Sequence, residues 1–301
     1  MSSFTALVGC KLPVQLAALG GMGVGAAPAV TRAGGLGTVV ATRLDARECN
    51  ALFASLPKPV AANFTRPRDE NIDAIAAAAK HARVVEFFWS EPRPAFVELV
   101  HESGALAAWQ CGSLPEARAA VEVGCDYVTL QGIEAGGHVR GTMPVRELVA
   151  AGAEVLEVPI VAAGGIATAR AVAELIELGA AGVRVGTRFL TAEETEAHPR
   201  YVELLLAASG DATVLTEAFE VGWTDAPHRV LQSAVDAALA FHGDVTGSRG
   251  DAEIRHWAST PPHRETIGDI DAMALYAGMG VGEVTRVEPA ADIMADLVSM
   301  L

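Results

Sequence analysis

The sequence predicts an α/β protein built on a (β/α)8 barrel, or TIM barrel, with an added C-terminal helical segment. Over the first two-thirds of the chain, short apolar runs alternate with polar or glycine-rich turns and alanine-rich helical patterns. The runs lack clean polar alternation, which is typical of parallel strands covered by helices on both faces. They number eight, which is the number of strands that closes such a barrel.

The predicted strands each precede a plausible helix, apart from the last. The eight runs are Leu12–Leu16, Leu36–Val40, Val60–Asn63, Val84–Phe88, Ala105–Trp109, Tyr127–Leu130, Pro159–Ala163 and Gly182–Val185. The clearest helices are Asp69–His81, Ser113–Val123 and Thr168–Leu178. Ser113 with Glu116 three residues later resembles a capping box, and Thr168 is a second N-cap candidate.

The regular alternation stops near residue 190, so we predict two parts. Residues 1–190 form the barrel, and residues 191–301 form a helical and loop appendage packed on it, with a tail that returns to the barrel. Predicted for the appendage are helices over Glu193–Gly210 and Arg229–His242, an irregular loop or lid over Gly243–Arg264, and two tail helices between Asp269 and Leu301 around Gly278–Gly282.

Composition excludes several classes of protein. The 301 residues are 51% hydrophobic and carry a formal net charge of −15, which argues against nucleic acid or an anionic membrane as partner. Met1–Thr5 lacks the features of a signal peptide, and no apolar run reaches membrane-spanning length. The four cysteines form no Cys-x-x-Cys pair, and no residue set has zinc-like spacing. We therefore expect a cytoplasmic protein with reduced thiols and no metal.

The segment Gln131–His138, with sequence QGIEAGGH, is the most informative part of the chain. It follows the sixth predicted strand, at the edge of the barrel where ligands bind. Gly136 and Gly137 permit a close backbone approach, and His138 brings a side chain that titrates near neutral pH. Glu134 is interpreted mainly as a support that accepts hydrogen bonds from backbone N–H groups.

Two later glycine-rich loops indicate a ligand that carries phosphate. Gly164 and Gly165 follow the seventh predicted strand, and Gly186 and Thr187 follow the eighth. Loops at these places in barrels often bind phosphate through backbone N–H groups. A dinucleotide-binding Rossmann fold is the rival interpretation, because Gly21, Gly23 and Ala26 fit its loose glycine pattern and Asp45 follows the next strand.

Taken in order, these motifs resemble the nitronate monooxygenase (2-nitropropane dioxygenase) family of FMN-dependent barrels. The resemblance includes Pro13-Val14, Thr31–Gly37, Asn63, the Glu134–His138 signature, Ala163–Ile166, Gly186-Thr187, Tyr276–Gly278 and Pro289–Ile293. It implies an oxidoreductase in which FMN and O2 convert alkyl nitronates to carbonyl compounds and nitrite, with His138 as the catalytic residue facing substrate.

The resemblance also implies the cofactor-binding residues. It places FMN against Ala17, Ala18 and Leu19, and lines the isoalloxazine and ribityl region with Asn63, Gln131 and Gly136, next to Gly137. The phosphate is held at Gly164, Gly165, Arg184, Val185, Gly186 and Thr187. Two departures from the family pattern stand out, since Ala17-Ala18-Leu19 replaces Ala-Pro-Met and Val139 separates His138 from Arg140.

Other interpretations stay open. NAD(P)H is a candidate reductant, as in flavin-dependent enoyl-acyl-carrier-protein reductases or NAD(P)H:quinone reductases, and a non-catalytic barrel that binds a phosphate ligand is a third hypothesis. An oligomer is compatible with the sequence. Trp109 is a candidate flavin neighbour or a core aromatic, and His256 and His263 are candidates for closing the pocket.

Overall fold

The fold was obtained as a computed structural model that describes residues 3–301, so Met1 and Ser2 lie outside the described residues. Eight parallel strands form its centre, as the sequence predicted. They are β1 (Val14–Leu16), β2 (Gly37–Val40), β3 (Val60–Thr65), β4 (Val84–Phe88), β5 (Leu106–Cys111), β6 (Tyr127–Gln131), β7 (Ile160–Ala163) and β8 (Gly182–Val185).

The strands close into a barrel. Each pairs in parallel with its neighbour from β2 to β8, and β8 pairs with β1. A parallel bridge between Gln15 and Leu36 joins β1 to the start of β2. Because the sheet has no free edge, the Rossmann interpretation is wrong. Asp45, its expected ribose ligand, instead forms a capping box with Glu48 at the start of a helix.

Helices surround the barrel and bury their apolar faces against it. Ser113 accepts a hydrogen bond from the Glu116 N–H, and Thr168 accepts one from the Ala171 N–H, so both cap their helices as predicted. The Glu116 carboxylate reaches Gly112 instead of completing the box. The helices are Phe4–Val8, Ala26–Arg32, Ala46–Ser55, Ile72–Ala79, Pro94–Glu102, Leu114–Glu122, Val145–Val155, Ala169–Glu177, Thr187–Leu190, Pro199–Leu206, Gln232–Ala240 and Ala290–Leu297.

The barrel interior is arranged in layers. The ring of Phe4 packs edge-on against Tyr127 at the N-terminal end of the strands, where both side chains are fully buried. Above them lies a polar layer that includes a buried ion pair between Glu86 and Arg184. Thr129 donates to the same Glu86 oxygen that pairs with Arg184, and Asn63 donates to the second oxygen, so both oxygens have partners.

Residues after 190 contain more β-structure than the sequence predicted. The helix expected over Glu193–Gly210 covers only Pro199–Leu206, and the one expected over Arg229–His242 begins as the strand His228–Leu231. The predicted loop contains the hairpin Val245–Arg249 and Ala252–Arg255, which also pairs with Ile267–Gly268. The tail has one α-helix in place of the two that were predicted, and the segment around its glycines forms the 3-10 turn Met279–Glu283. The described chain has two other 3-10 turns, Asp69–Asn71 in the barrel and Ile270–Ala272 in the tail.

A three-stranded antiparallel sheet joins the late segment to the signature loop. His228–Leu231 pairs on one side with Thr213–Thr216 and on the other with Gly137–His138. His228 is therefore the direct partner of His138 across this sheet. Within residues 3–301, no helix has both the length and the apolar character needed to cross a membrane.

Candidate active site

A cavity of about 810 Å3 lies at the C-terminal ends of the barrel strands. Its size falls within the range of cofactor and substrate pockets, which is roughly 300–1,000 Å3. Strand-end residues such as Asn63, Gln131 and Ala163 line one part, and the late residues Trp223 and Tyr276 line another. The barrel and the segment after residue 190 thus form one cavity together.

Gln131 holds the signature loop in place. Its amide nitrogen donates to the His138 carbonyl oxygen at 2.9 Å, and its amide oxygen accepts from the Arg140 N–H at 3.2 Å. This side chain lines the cavity while both ends of its amide bind backbone. It therefore fixes where the strand carrying His138 runs.

The glycines of the signature permit close backbone packing, although the neighbour is the protein itself. A Cβ on Gly136 would lie 2.5 Å from the nitrogen of Gly278, so only glycine fits there. Gly137 has φ of +75°, a conformation that favours glycine. The Met279 N–H donates to the Glu134 carbonyl, which ties the tail to this loop.

Glu134 supports the site without facing it. Both carboxylate oxygens accept from the N–H of Val145, at 3.1 and 3.0 Å, where the helix Val145–Val155 begins. This agrees with the predicted supporting role, but the N–H belongs to a helix start instead of the glycine loop. A carboxylate at a helix N-terminus also interacts favourably with the helix dipole.

His138 lies in an aromatic enclosure. Its imidazole stacks on the indole of Trp223, with ring centroids 3.6 Å apart and planes inclined by 17°. The rings of Trp89, His228 and Tyr276 surround it at 5.7, 5.3 and 5.6 Å. Within the described chain, Nε2 of His138 is buried and has no hydrogen-bond partner. Leaving such an atom unpaired costs about 1–3 kcal/mol, so its place is one that a ligand atom can fill.

The protonation state of His138 follows from these surroundings. Burial lowers its pKa from the ordinary 6.5 to about 3, with further lowering by His228 and Arg66. The imidazole is therefore neutral near pH 7 and can offer a hydrogen bond.

The two late glycine loops expose backbone donors to the cavity. Gly164 and Gly165 have φ of +124° and +66°, which favours glycine at both. Within residues 3–301, the N–H groups of Gly165, Gly186 and Thr187 meet no protein acceptor. The Thr187 hydroxyl accepts from the Gly278 N–H at 2.9 Å. Ala163 pairs with Arg184, so the two loops leave neighbouring strands and line the cavity next to each other, an arrangement in which barrels often bind phosphate.

The other residues expected at the cofactor lie in different environments. Ala17, Ala18 and Asn63 line the cavity, whereas Leu19 is buried in the outer core and Gly20 and Gly21 follow it along the wall. Arg184 reaches the cavity from below, paired with Glu86. Val185 points into the outer core, away from the cavity.

The two residues after His138 point away from the cavity. Val139 is buried, and its N–H donates to the Pro227 carbonyl at 2.8 Å. Arg140 forms ion pairs with Glu116 and Glu91 and lies over the ring of Trp89. The inserted Val139 therefore aims Arg140 outward, and neither residue lines the cavity.

Of three further candidate residues, only one lines the cavity. Trp109 is a core aromatic that packs 4.8 Å from Phe87, and it does not line the cavity. His256 bonds to the Ala238 carbonyl, outside the cavity. His263 lines the cavity and contacts the Gly20 carbonyl at 3.3 Å, so one of the two late histidines helps to close the pocket.

The sequence reasoning missed the aromatic enclosure and its neighbour Arg66. Trp223 lies in a loop without periodicity, so no local pattern marks it. Arg66 directly follows β3 and has a left-handed φ of 53°. Its place at a strand end was the one signal that could have identified it, since barrel sites are built there.

Comparisons with known proteins identify the family. Residues 1–299 match the family model described as nitronate monooxygenase. The chain belongs to the nitronate monooxygenase family, a family of oxidoreductases. It is 30% identical to a nitronate monooxygenase of the fungus Metarhizium robertsii, and the match covers 91% of this chain and 86% of the relative.

Other proteins that resemble this chain carry different names. A carboxyl-CoA dehydrogenase of Rhodococcus jostii is 27% identical over 82% of this chain. The solved structure of FabK from Thermotoga maritima superposes with a TM-score of 0.82 at 25% identity, covering 99% of this chain and 96% of FabK. The chain spans only 60–70% of the length of several curated relatives, including the dehydrogenase.

Proposed function

We propose that the protein is an FMN-dependent oxidoreductase that oxidises alkyl nitronates with O2 to carbonyl compounds and nitrite. One observation carries the proposal. A neutral His138 with an unpartnered, buried Nε2 adjoins the same cavity as the unpaired N–H groups of Gly165, Gly186 and Thr187. The part of the cavity at His138 suits a small anionic substrate, and the part at the two glycine loops suits a phosphate.

The residues present fit FMN. Gly164 and Gly165 line the cavity, and the unpaired N–H groups of Gly165, Gly186 and Thr187 would hold the phosphate oxygens. Ala17, Ala18, Asn63, Gln131 and Gly136 line the remaining length of the cavity, where the ring system would lie. When bound, FMN supplies the redox chemistry as the electron acceptor.

The role of His138 in this proposal is to position the substrate. In its Nε2–H tautomer, a neutral imidazole donates a hydrogen bond to a nitronate oxygen and fulfils its own unmet bonding capacity. The aromatic rings of Trp223, Trp89 and Tyr276 surround the imidazole, and their apolar faces lower the local polarity, which would strengthen that hydrogen bond. Arg229 braces the loop by donating to the Ile133 carbonyl at 2.9 Å.

We propose that the two parts of the chain have different roles at this site. Residues 1–190 would carry most of the flavin contacts, while residues 191–301 complete the enclosure through Trp223 and Tyr276. The oligomeric state does not enter this proposal.

The test combines flavin spectroscopy with a substitution of His138. The purified protein should be yellow and release FMN, and anaerobic mixing with ethyl nitronate should reduce the flavin. His138→Asn should lower turnover at least about tenfold with FMN retained, because the shorter Asn amide cannot place its donor where Nε2 of His138 lies. A colourless protein that cannot bind added FMN contradicts the cofactor assignment, and unchanged turnover removes His138 from catalysis.

A second candidate is a reductase that takes electrons from NAD(P)H. The likeness to FabK over 99% of the chain favours it. In the same stopped-flow apparatus, rapid anaerobic flavin reduction by NADH or NADPH, without turnover of ethyl nitronate, would select this reaction over nitronate oxidation.

A further inference from the structure

An arginine-rich rim borders the cavity of this acidic protein. We define the arginine rim as Arg43, Arg66 and Arg249, all of which line the cavity. The whole chain has a formal charge of −15, so this grouping runs against the overall balance. Within residues 3–301, neither Arg43 nor Arg249 forms an ion pair with a carboxylate.

Arg66 is held at the centre of the rim. Its guanidinium lies 4.4 Å over the indole of Trp223 and donates to the Gly222 carbonyl at 3.3 Å. Burial lowers the pKa of Arg66, and the nearby Arg68 and Arg43 lower it further. Like charges brought together in this way repel one another, and a bound anion relieves that repulsion.

The rim is close to the proposed reacting end of the substrate. His138 stacks on Trp223 at 3.6 Å, and Arg66 lies over the same ring at 4.4 Å. Two groups so near one ring centroid cannot share a face, so they lie on opposite faces of the indole. Only the indole ring of Trp223 therefore separates His138 from Arg66 of the arginine rim.

The charge count shows that one small anion does not account for the rim. Arg264 also lines the cavity, and the lining acids Glu196 and Glu265 offset only part of this charge. Arg184 is already paired with Glu86. A nitronate carries a single negative charge, which His138 can serve by hydrogen bonding. The FMN phosphate would be held by the loops after β7 and β8, whereas Arg43 and Arg66 follow β2 and β3 on the other side of the barrel. The unpaired arginines thus point to further negative charge on the same partner.

We propose that the arginine rim binds the phosphate-bearing end of an organic molecule whose reactive end reaches His138. The inference rests on the proposed function and adds the substrate class. Arginine suits this role because its planar donors match phosphate oxygens, often two at a time. Such a group can come from a nucleotide-linked thioester carrier or from the 2′-phosphate of NADPH.

Isothermal titration calorimetry of the purified, FMN-containing protein distinguishes these sources. The probes are coenzyme A against pantetheine, and NADPH against NADH, since each pair differs in its phosphate groups. The test variant is Arg43→Gln/Arg249→Gln. The matched control is Arg47→Gln/Arg118→Gln, which removes the same charge from two exposed arginines that do not line the cavity.

The phosphate-rich member of one pair should bind about tenfold or more tightly than its partner, and added salt should weaken it. That advantage should disappear in the rim variant and persist in the control. Preference for coenzyme A assigns the thioester carrier, and preference for NADPH assigns the dinucleotide. Equal binding within both pairs, or equal losses in the two variants, overturns the proposal. Flavin content and ethyl nitronate oxidation, measured on the same unsubstituted preparation, report separately on the proposed function.

Discussion

The two ends of the barrel differ in packing and in chemistry. At the N-terminal end, Phe4 and Tyr127 fill the interior, with ring centroids 5.5 Å apart and no exposed surface. At the C-terminal end, the interior opens into a cavity of about 810 Å3. The Glu86–Arg184 pair separates them. The difference indicates that one end can stabilise the fold while the other keeps unpaired donors available for ligands.

The largest expected effect comes from breaking the layer between the two ends. Glu86→Ala leaves Arg184 buried without its counter-charge, and it removes the acceptor for Asn63 and Thr129. We expect the free energy of unfolding to fall by about 3–5 kcal/mol, because an uncompensated buried charge is costly. Urea unfolding followed by circular dichroism measures this loss.

The matched control for that change is Glu86→Leu/Arg184→Met, which removes both charges together. It should recover most of the lost stability, since an apolar pair of similar volume often matches a buried ion pair. A single Glu86→Ala variant that loses less than about 1 kcal/mol would mean that water reaches Arg184 and that the layer does not separate the ends.

The next largest effect tests the closed end alone. Phe4→Ala opens a cavity beneath the barrel and should cost about 3 kcal/mol of unfolding free energy. FMN affinity should stay within about twofold, because the cofactor residues lie at the opposite end of the strands. The control is the half-buried neighbour Thr5. Thr5→Ala should lower the free energy of unfolding by less than about 0.5 kcal/mol. Loss of FMN binding in Phe4→Ala would show that the two ends are coupled.

The barrel itself could be predicted because its signals are local. The predicted bounds of Val84–Phe88 and Gly182–Val185 match the structure to the residue. By contrast, His228–Leu231 was merged into the following helix. Its pairing partners, Thr213–Thr216 and Gly137–His138, are distant in sequence, and no local pattern encodes such a pairing.

The candidate site shows the same limit. The motif identified His138, whose place in the cavity follows from its strand-end position. Trp223 and His228 were missed, because they reach His138 only through the packing of the late segment. Arg184 could have been placed better from alternation alone. Val183 and Val185 face the outer core, so Arg184 must point into the barrel, where Glu86 meets it.

The smallest expected effect tests the open end by its dependence on pH. The pKa of His138 is about 3 in the folded protein against an ordinary value of 6.5. Between these values the unfolded chain binds a proton that the folded protein does not, so stability falls as the pH decreases below 6.5. At higher pH both states carry a neutral imidazole, and the residue adds no pH dependence.

His138→Asn removes this titration while His228 and Arg66, the groups that lower the pKa of His138, remain in place. We expect the wild-type protein to lose about 1–2 kcal/mol more than the variant between pH 6.5 and pH 5, because each pKa unit corresponds to about 1.4 kcal/mol. Urea unfolding at both pH values measures the difference. Parallel losses in the two proteins would mean that water solvates the imidazole of His138, so that the open end of the barrel does not hold this side chain in its neutral form.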